Sequence, residues 1–491
     1  MVLNREVRRK INACLLTDFY KIGHPFQYPD KTQKVYSNWT PRKSRIPGID
    51  FMVWFSLQKF IKVYIIDYFN ENFFDKPKDE VINDYKRRMR TSIGELQSYA
   101  HIEALHDLGY LPIEIKSVME GTILPMRVPG CTIINTLPEF YWLTNFFETL
   151  MSCSVWQGCT SATIAYVYRK LFEKYAEETG MPKEFVQWQG HDFSFRGMSS
   201  LETAINSSGG HLLSFTGTDT IPAIDDLEIY YNADSEKELI GASVPATEHS
   251  VMCSGEKGGE LETFRRLITK IYPSGIISIV SDTWDLWHVL TVIMPELKKE
   301  ILARDGKVVI RPDSGNPVDI ICGNPHGISE ADRKGVVELL WDVFGGTVNE
   351  KGYKVLDPHI GSIYGDSITI QRADEICSRL KSKGFASQVV FGIGSYTYQC
   401  NTRDTFGNAI NATWVMIDDQ PIEIFKDPIT DDGTKKSATG LLRVIDEGGK
   451  LVLEDKISIE DEKTGELKTV FLNGELVIDQ TLQQIRTRLH G

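Results

Sequence analysis

The sequence predicts an α/β protein built around a (β/α) barrel, and three observations carry that reading. Seven short apolar runs between residues 187 and 395 each end in a polar cluster able to do chemistry. Most clusters follow one another at roughly 30 residues, and a barrel of this class spends about 31 residues on each strand–helix unit. From about 185 to 400 strand-like runs alternate with helix-like ones, which is the α/β signature. Loops after the strands of a barrel converge on one face, so the clusters describe an enzyme site assembled from many strand ends.

The clusters differ in what they offer. In His191-Asp-Phe-Ser-Phe-Arg-Gly197, a continuing strand puts Phe193 and Phe195 on one face and Arg196 on the other. Phe193 can stack on a flat heteroaromatic ring or simply fill core. Thr216-Gly-Thr-Asp219 ends in a carboxylate that accepts a hydrogen bond from an amide NH₂ and repels a carboxylate, or caps its own loop. Pro245-Ala-Thr-Glu-His-Ser250 carries Glu248 and His249, a strand running into a polar loop. A histidine there serves as acid, base, ligand or nucleophile, or is a plain hydrogen-bonded strand end.

Ser281-Asp-Thr-Trp-Asp285 contributes Asp282. In Arg311-Pro-Asp-Ser-Gly315, Arg311 suits bidentate contact with phosphate or carboxylate. Asp313 suits sugar hydroxyls or a Mg²⁺ shell, and the following Ser-Gly lets backbone N–H groups approach an anion. Tyr364-Gly-Asp-Ser367 and Phe391-Gly-Ile-Gly-Ser395 add Gly365, Asp366 and Gly394, and as neighbours on one barrel face they make a phosphosugar cradle.

The flanks read differently. Residues 1–180 mix helix-like runs (53–66 and 139–151) with short strands at 111–118 and 121–130. Residues 181–400 are the barrel, with helices expected at 284–304, 335–344 and 370–380 and Ser329 as a cap. Residues 401–491 are β-rich, with hairpin turns at Asp446-Glu-Gly-Gly449 and Asn473-Gly474. This last piece is too small to stand alone and is expected to join the N-terminal region in one α+β domain.

Bulk properties bound the function. The net charge of −13 over 491 residues argues against nucleic acid as the main partner. An anionic small substrate needs a local cluster of Arg and Lys set against that field. The eight cysteines form no C-x-x-C pair, which predicts free, mostly buried thiols rather than disulfides or zinc. No apolar stretch approaches the ~18 residues of a membrane span, and the basic start leads into no signal-peptide core, so a cytoplasmic protein is expected. There is no Walker A sequence, dinucleotide G-x-G-x-x-G, G-x-S-x-G elbow or H-E-x-x-H.

Together these segments resemble the nicotinamide phosphoribosyltransferases of the type II phosphoribosyltransferase family. The resemblance begins at Leu15-Leu-Thr-Asp-Phe-Tyr-Lys-Ile-Gly-His24 and runs through Leu111-Pro-Ile-Glu-Ile-Lys116, Tyr141-Trp-Leu-Thr-Asn145, the seven clusters and Phe425-Lys-Asp-Pro428. It implies an irregular (β/α) barrel beside an α+β domain. It also implies a homodimer with shared active sites, joining nicotinamide to phosphoribosyl pyrophosphate in NAD salvage, with Mg²⁺ and with ATP as a coupled co-substrate. By that pattern the pyridine ring lies between Phe193 and Tyr20 of the partner subunit, and Asp219 takes the amide. Asp313, Gly365 and Asp366 hold ribose hydroxyls, with Arg311 and the Gly394 loop near the phosphate. Arg196, Arg311 and the partner subunit's Arg42, Arg403 and Lys426 grip pyrophosphate. His249 is phosphorylated by ATP and oriented by Asp282 and Glu248. The metal ligands are left unassigned.

The chain departs from the pattern in places: the glycine-rich loop is Gly392-Ile-Gly-Ser-Tyr396 rather than a longer glycine run, and Ala409 and Asn411 stand where animal members place a Ser and a Lys that contact phosphates, so neither of those two is carried over. The rival readings are a nicotinate phosphoribosyltransferase and a non-catalytic phosphosugar-binding or signalling protein. Asp219 discriminates against the first. His249, Asp282, Arg311 and Asp313 together discriminate against the second.

Overall fold

The structure, a computed structural model, describes residues 11–491; the basic start at 1–10 lies outside the described residues. The chain forms two compact units. One comprises Met1–Thr163, Leu227–Ala233 and Asn401–Gly491, the other Ile164–Asp226 and Asp234–Cys400. The chain passes from one to the other inside the long helix Glu148–Thr179, earlier than the 180 expected, because a continuous helix carries no loop signal at the boundary.

The first unit is built on a seven-stranded antiparallel sheet. Its order is Gln420–Glu423, Ala409–Ile417, Thr32–Thr40, Cys131–Asn135, Ile113–Ser117, Lys468–Leu472, Glu475–Leu476. The C-terminal segment therefore supplies the strands on both sides of three N-terminal ones, with Trp39 opposite Ile410 and Ile115 opposite Phe471. Ile113, Ile115 and Ser117 are buried while Glu114 and Lys116 between them are not, the period-2 pattern of a strand with one core face. Both expected hairpins are present, Leu441–Asp446 with Leu451–Ile457 and Lys468–Leu472 with Glu475–Leu476. The helix expected at 53–66 starts only at Leu57, after a strand Phe51–Val53 and Ser56 at φ 75°.

The second unit carries a parallel sheet in the order Gly217–Thr218, Gly190–Asp192, Val389–Ile393, Ile360–Tyr364, Asp305–Arg311, Ser274–Val280. All five residues of Ile360–Tyr364 are buried, as expected of a strand covered on both faces. Residues 242–246 close the sheet on itself. Ala242 bridges Gly217 at one edge and Ala246 bridges Ser278 at the other, with the Ala242 N–H on Thr216 O at 2.7 Å and the Ser278 N–H on Pro245 O at 2.9 Å. The barrel thus has seven staves, one behind each polar cluster. Helices at Leu201–His211, Ile221–Tyr231, Glu330–Phe344 and Ile370–Ser382 alternate with them. Ser329 caps its helix through the Asp332 N–H, and Asp285 starts the helical segment that begins with Leu286–His288 by accepting the N–H groups of Trp287 and His288.

Candidate active site

The site lies where the parallel strands end. Phe193, Arg196, Asp219, Glu248, Arg311, Asp313, Gly365, Asp366 and Gly394 line one cavity of about 1050 Å³. His249 and Asp282 join it through Asp313. All of these residues belong to the second unit.

Two adjacent strand ends are tied together below the cavity by Asp192. Its Oδ1 accepts the Ser194 N–H (3.0 Å) and hydroxyl (2.6 Å), and its Oδ2 accepts the hydroxyls of Thr218 (3.0 Å) and Thr220 (2.8 Å). A fully buried carboxylate is tolerated only when so satisfied. The knot fixes the residues that follow, Phe193 and Asp219. The strand stops at Asp192 and a 3-10 turn takes Phe195–Gly197, so Phe195 and Arg196 sit on an exposed turn and the expected sharing of one strand face by Phe193 and Phe195 does not occur. Phe193 instead lies across the neighbouring strand at Gly392. A Cβ on Gly392 would come within 2.5 Å of the Phe193 ring, so only glycine admits the ring there. The Arg311 guanidinium sits 5.1 Å from the Phe193 centroid, a cation–π contact.

Asp219 is not a lone acid. Its Oδ1 accepts His191 Nε2 at 2.8 Å and the Ser243 hydroxyl at 2.7 Å. Burial pushes the carboxyl up, but those hydrogen bonds and the nearby His191 and Arg311 outweigh it and hold Asp219 below the usual carboxylate range. His191 and Ser243 stand inside the sequence clusters or beside them, but their role depends on adjacency across three staves, which the linear order hides. Beyond Phe193, Asp219 and Arg311 the barrel interior holds a second, apolar cavity of about 370 Å³ that extends to Lys307 and Gln388. Burial lowers the Lys307 ammonium from its ordinary value, opposed by Asp357.

The acidic corner is arranged differently from expectation. His249 begins the short helix His249–Cys253 rather than a loop. Its Nδ1 faces Thr283 Oγ1 at 3.2 Å and its Nε2 faces Asp313 Oδ1 at 3.3 Å. Asp282 makes no hydrogen bond to the ring; its Oδ2 accepts the N–H groups of Asp313 and Ser314 and the Ser314 hydroxyl. Glu248 accepts from Ser250 Oγ. The orienting contacts are therefore Thr283 and Asp313, because Asp282 is spent holding the Arg311–Gly315 loop. Gly365 completes the floor: a Cβ there would press on Arg311 and Asp313 at 3.3 Å.

One ligand atom each from His249, Asp282 and Asp313 falls within 4.8 Å of the others. Asp282 Oδ1 is buried and has no partner among the described residues. Two carboxylates, one with a buried oxygen left without a partner, are the hard-oxygen donors that Mg²⁺ takes, so the residues fit that ion.

In the first unit, Arg42 donates Nε–H to Gly407 O at 2.9 Å. Burial, and then Arg403, lower the Arg42 guanidinium from its ordinary value, opposed by Asp404 and Asp431. Arg42, Lys43, Arg45 and Lys435 line a cavity of about 480 Å³ with Asp404, Asp431 and Asp432. Lys426 donates its backbone N–H to Ser437 Oγ. Tyr20 is 60 % exposed. Ala409 and Asn411 lie in the strand paired with Thr32–Thr40. None of the eight cysteines is in a disulfide, and five are buried. No described helix is long and apolar enough to cross a membrane.

Residues 188–475 match the model of the Nicotinate phosphoribosyltransferase (NAPRTase) family, and residues 12–115 match that of the Nicotinamide phosphoribosyltransferase N-terminal domain. The chain is 53% identical to the nicotinamide phosphoribosyltransferase of Acinetobacter baylyi, covering 98% of this chain and 97% of that one. It is 37% identical to the Mycoplasma pneumoniae protein of the same name, over 89% and 96% of the two chains. The solved nicotinate-nucleotide pyrophosphorylase of Pyrococcus furiosus shares the fold, with a TM-score of 0.59 at 14% identity over 99% of this chain and 96% of that one. The chain belongs to the nicotinate phosphoribosyltransferase family of pentosyltransferases and, by its N-terminal domain and its full-length relatives, to the nicotinamide phosphoribosyltransferases within it.

Proposed function

We propose that the enzyme forms nicotinamide mononucleotide and pyrophosphate from nicotinamide and phosphoribosyl pyrophosphate, as a cytoplasmic homodimer in NAD salvage. The observation that carries the choice of base is Asp219, an ionised carboxylate held by His191 and Ser243 beside the Phe193 ring. That carboxylate accepts an amide N–H from nicotinamide, whereas a nicotinate carboxylate would face it charge against charge. Phe193, with Tyr20 of the partner subunit, holds the pyridine ring flat so that its nitrogen faces C1 of the ribose.

The nitrogen lone pair forms the new bond to C1 as the C1–O bond to pyrophosphate breaks, and the electron pair leaves with the pyrophosphate. Positive charge develops on the sugar and the ring nitrogen, negative charge on the leaving group. Arg311 and Arg196, with the partner subunit's Arg42, Arg403 and Lys426, stabilise that negative charge. Asp313, Gly365 and Asp366 fix the ribose hydroxyls. Asp282 and Asp313 would hold Mg²⁺, whose charge when bound offsets that of the pyrophosphate. His249 takes the γ-phosphoryl group of ATP, releasing ADP, and the phosphohistidine adds charge beside the pyrophosphate site until water hydrolyses it. In this geometry Thr283 and Asp313 orient the ring.

The deciding experiment measures product formation from phosphoribosyl pyrophosphate and Mg²⁺ with nicotinamide or nicotinate, each with and without ATP. Preferential use of nicotinamide, faster with ATP, supports the reading. Turnover of nicotinate instead overturns the role of Asp219 while leaving the fold and phosphate sites intact.

A further inference from the structure

Tyr20 sits on a single turn of helix, Phe19–Ile22, and the residue is 60 % exposed. Little of the ring's position comes from burial. Its neighbour Lys21 is the opposite, a lysine only 4 % exposed. A buried ammonium persists only with a counter-charge, and Lys21 Nζ is paired with Glu148 Oε2 at the start of the helix Glu148–Thr179. The acid is well placed, since a helix N-terminus favours negative charge. The same ammonium lies 4.9 Å from the Tyr20 ring centroid, and the ring meets His24 edge-on at 5.8 Å. Two lesser ties hold the segment to the same helical region, Thr149 Oγ1 donating to Asp18 Oδ2 at 2.7 Å and Thr17 Oγ1 donating to Phe146 O at 3.0 Å.

We infer that the pair of buried Lys21 with Glu148 is a positioning device for Tyr20, setting the ring that stacks on nicotinamide. This rests on the reading of Tyr20 as a stacking residue. The Lys21 stem pins the helical turn to the long helix, and its ammonium occupies one face of the ring, leaving the opposite face for the base. Losing Glu148 leaves the buried Lys21 ammonium uncompensated, and losing Lys21 removes the pin itself; in either case the short turn swings outward with Tyr20.

The test is a double-mutant cycle in the full-length enzyme, read as KM for nicotinamide and for phosphoribosyl pyrophosphate. Lys21→Met is expected to raise KM for nicotinamide about tenfold, with KM for phosphoribosyl pyrophosphate unchanged, since misplacing a positioning group acts on the step it serves. In a Tyr20→Ala background the same substitution should change KM for nicotinamide by less than about twofold. An undiminished effect in that background, or none in the wild type, overturns the inference while the stacking role of Tyr20 stands. An unchanged KM for nicotinamide in Tyr20→Ala alone removes the stacking role and the inference with it. Should Lys21→Met fail to fold, Glu148→Asp shortens the arm and keeps the charge, and the same cycle is run with it.

Discussion

Asp282 takes the backbone N–H of Asp313 on Oδ2 at 2.9 Å, so one acid of the site fixes the loop that carries the other. The Ser314 N–H reaches the same oxygen, which leaves Oδ1 turned inward without a partner among the described residues. Asp282→Asn keeps an acceptor for the loop but removes the charge. Its half-saturating Mg²⁺ concentration should rise about tenfold to a hundredfold, read from initial rates across a Mg²⁺ titration. An unshifted titration would take Asp282 out of the metal site.

His249→Ala should abolish the stimulation by ATP and leave basal transfer, because among the described residues the ring's hydrogen bonds run to Thr283 and Asp313 and to no strand backbone. Rates with and without ATP, alongside acid-labile phosphate incorporation, check this. Persistent stimulation in the variant would sink the phosphohistidine assignment.

Asp219→Ser removes the acceptor for the amide and the charge that repels nicotinate. The ratio of kcat/KM for nicotinamide over nicotinate should fall by about ten- to a hundredfold, the size of one or two unpaired polar contacts. Ser243→Ala removes one of the two hydrogen bonds that hold Asp219 and should lower the same ratio by about tenfold or less. Competition between the two bases at fixed phosphoribosyl pyrophosphate gives the ratio directly.

Glu120 sets a pH dependence of stability. It is buried and accepts the N–H groups of Ser56 and Gln58, and burial pushes its carboxyl up to about 7 against an ordinary value of 4.5. Between those values the folded chain holds a proton that the unfolded chain has lost, so stability falls as pH rises from 4.5 to 7. The span corresponds to about 3 kcal/mol, fully spared below pH 4.5. Glu120→Gln stays neutral throughout, so its thermal midpoint relative to the wild type should climb across that window. A constant difference would show that Glu120 ionises at its ordinary pH.

Much of the barrel was legible in the sequence because each stave ends in a cluster whose residue types are poor strand formers but good ligands. The stave at 242–246 is legible as a strand running into a polar loop, but its closing of the sheet depends on bridges to Gly217 and Ser278 that the linear order hides. Phe193 looked like a strand residue because the alternation His-Asp-Phe-Ser-Phe has period two; the hydrogen bonds from Ser194 to Asp192 turn the chain instead. In the site, individual residues were visible but their pairings were not. His191 lies 28 positions from Asp219, and His249 lies 64 from Asp313. No local rule links such distances; only the parallel register does. The same limit applies to the first unit, where the expected joining of the two termini is observed but the placing of C-terminal strands on both flanks depends on pairings hundreds of residues apart.

A sheet normally ends in two strands whose outward N–H and C=O groups can recruit another chain. The parallel sheet of the second unit covers much of that template, since Ala242 and Ala246 bridge one edge each from a single five-residue span. Its weakest member, the two-residue strand Gly217–Thr218, is thereby shielded on both sides. The antiparallel sheet of the first unit is left open, and it guards itself by other means. Its outer strands are only four and two residues long, and one of them carries Pro421, which cannot donate to an incoming strand. Resistance to ladder-type association is thus met by closure in one unit and by brevity in the other.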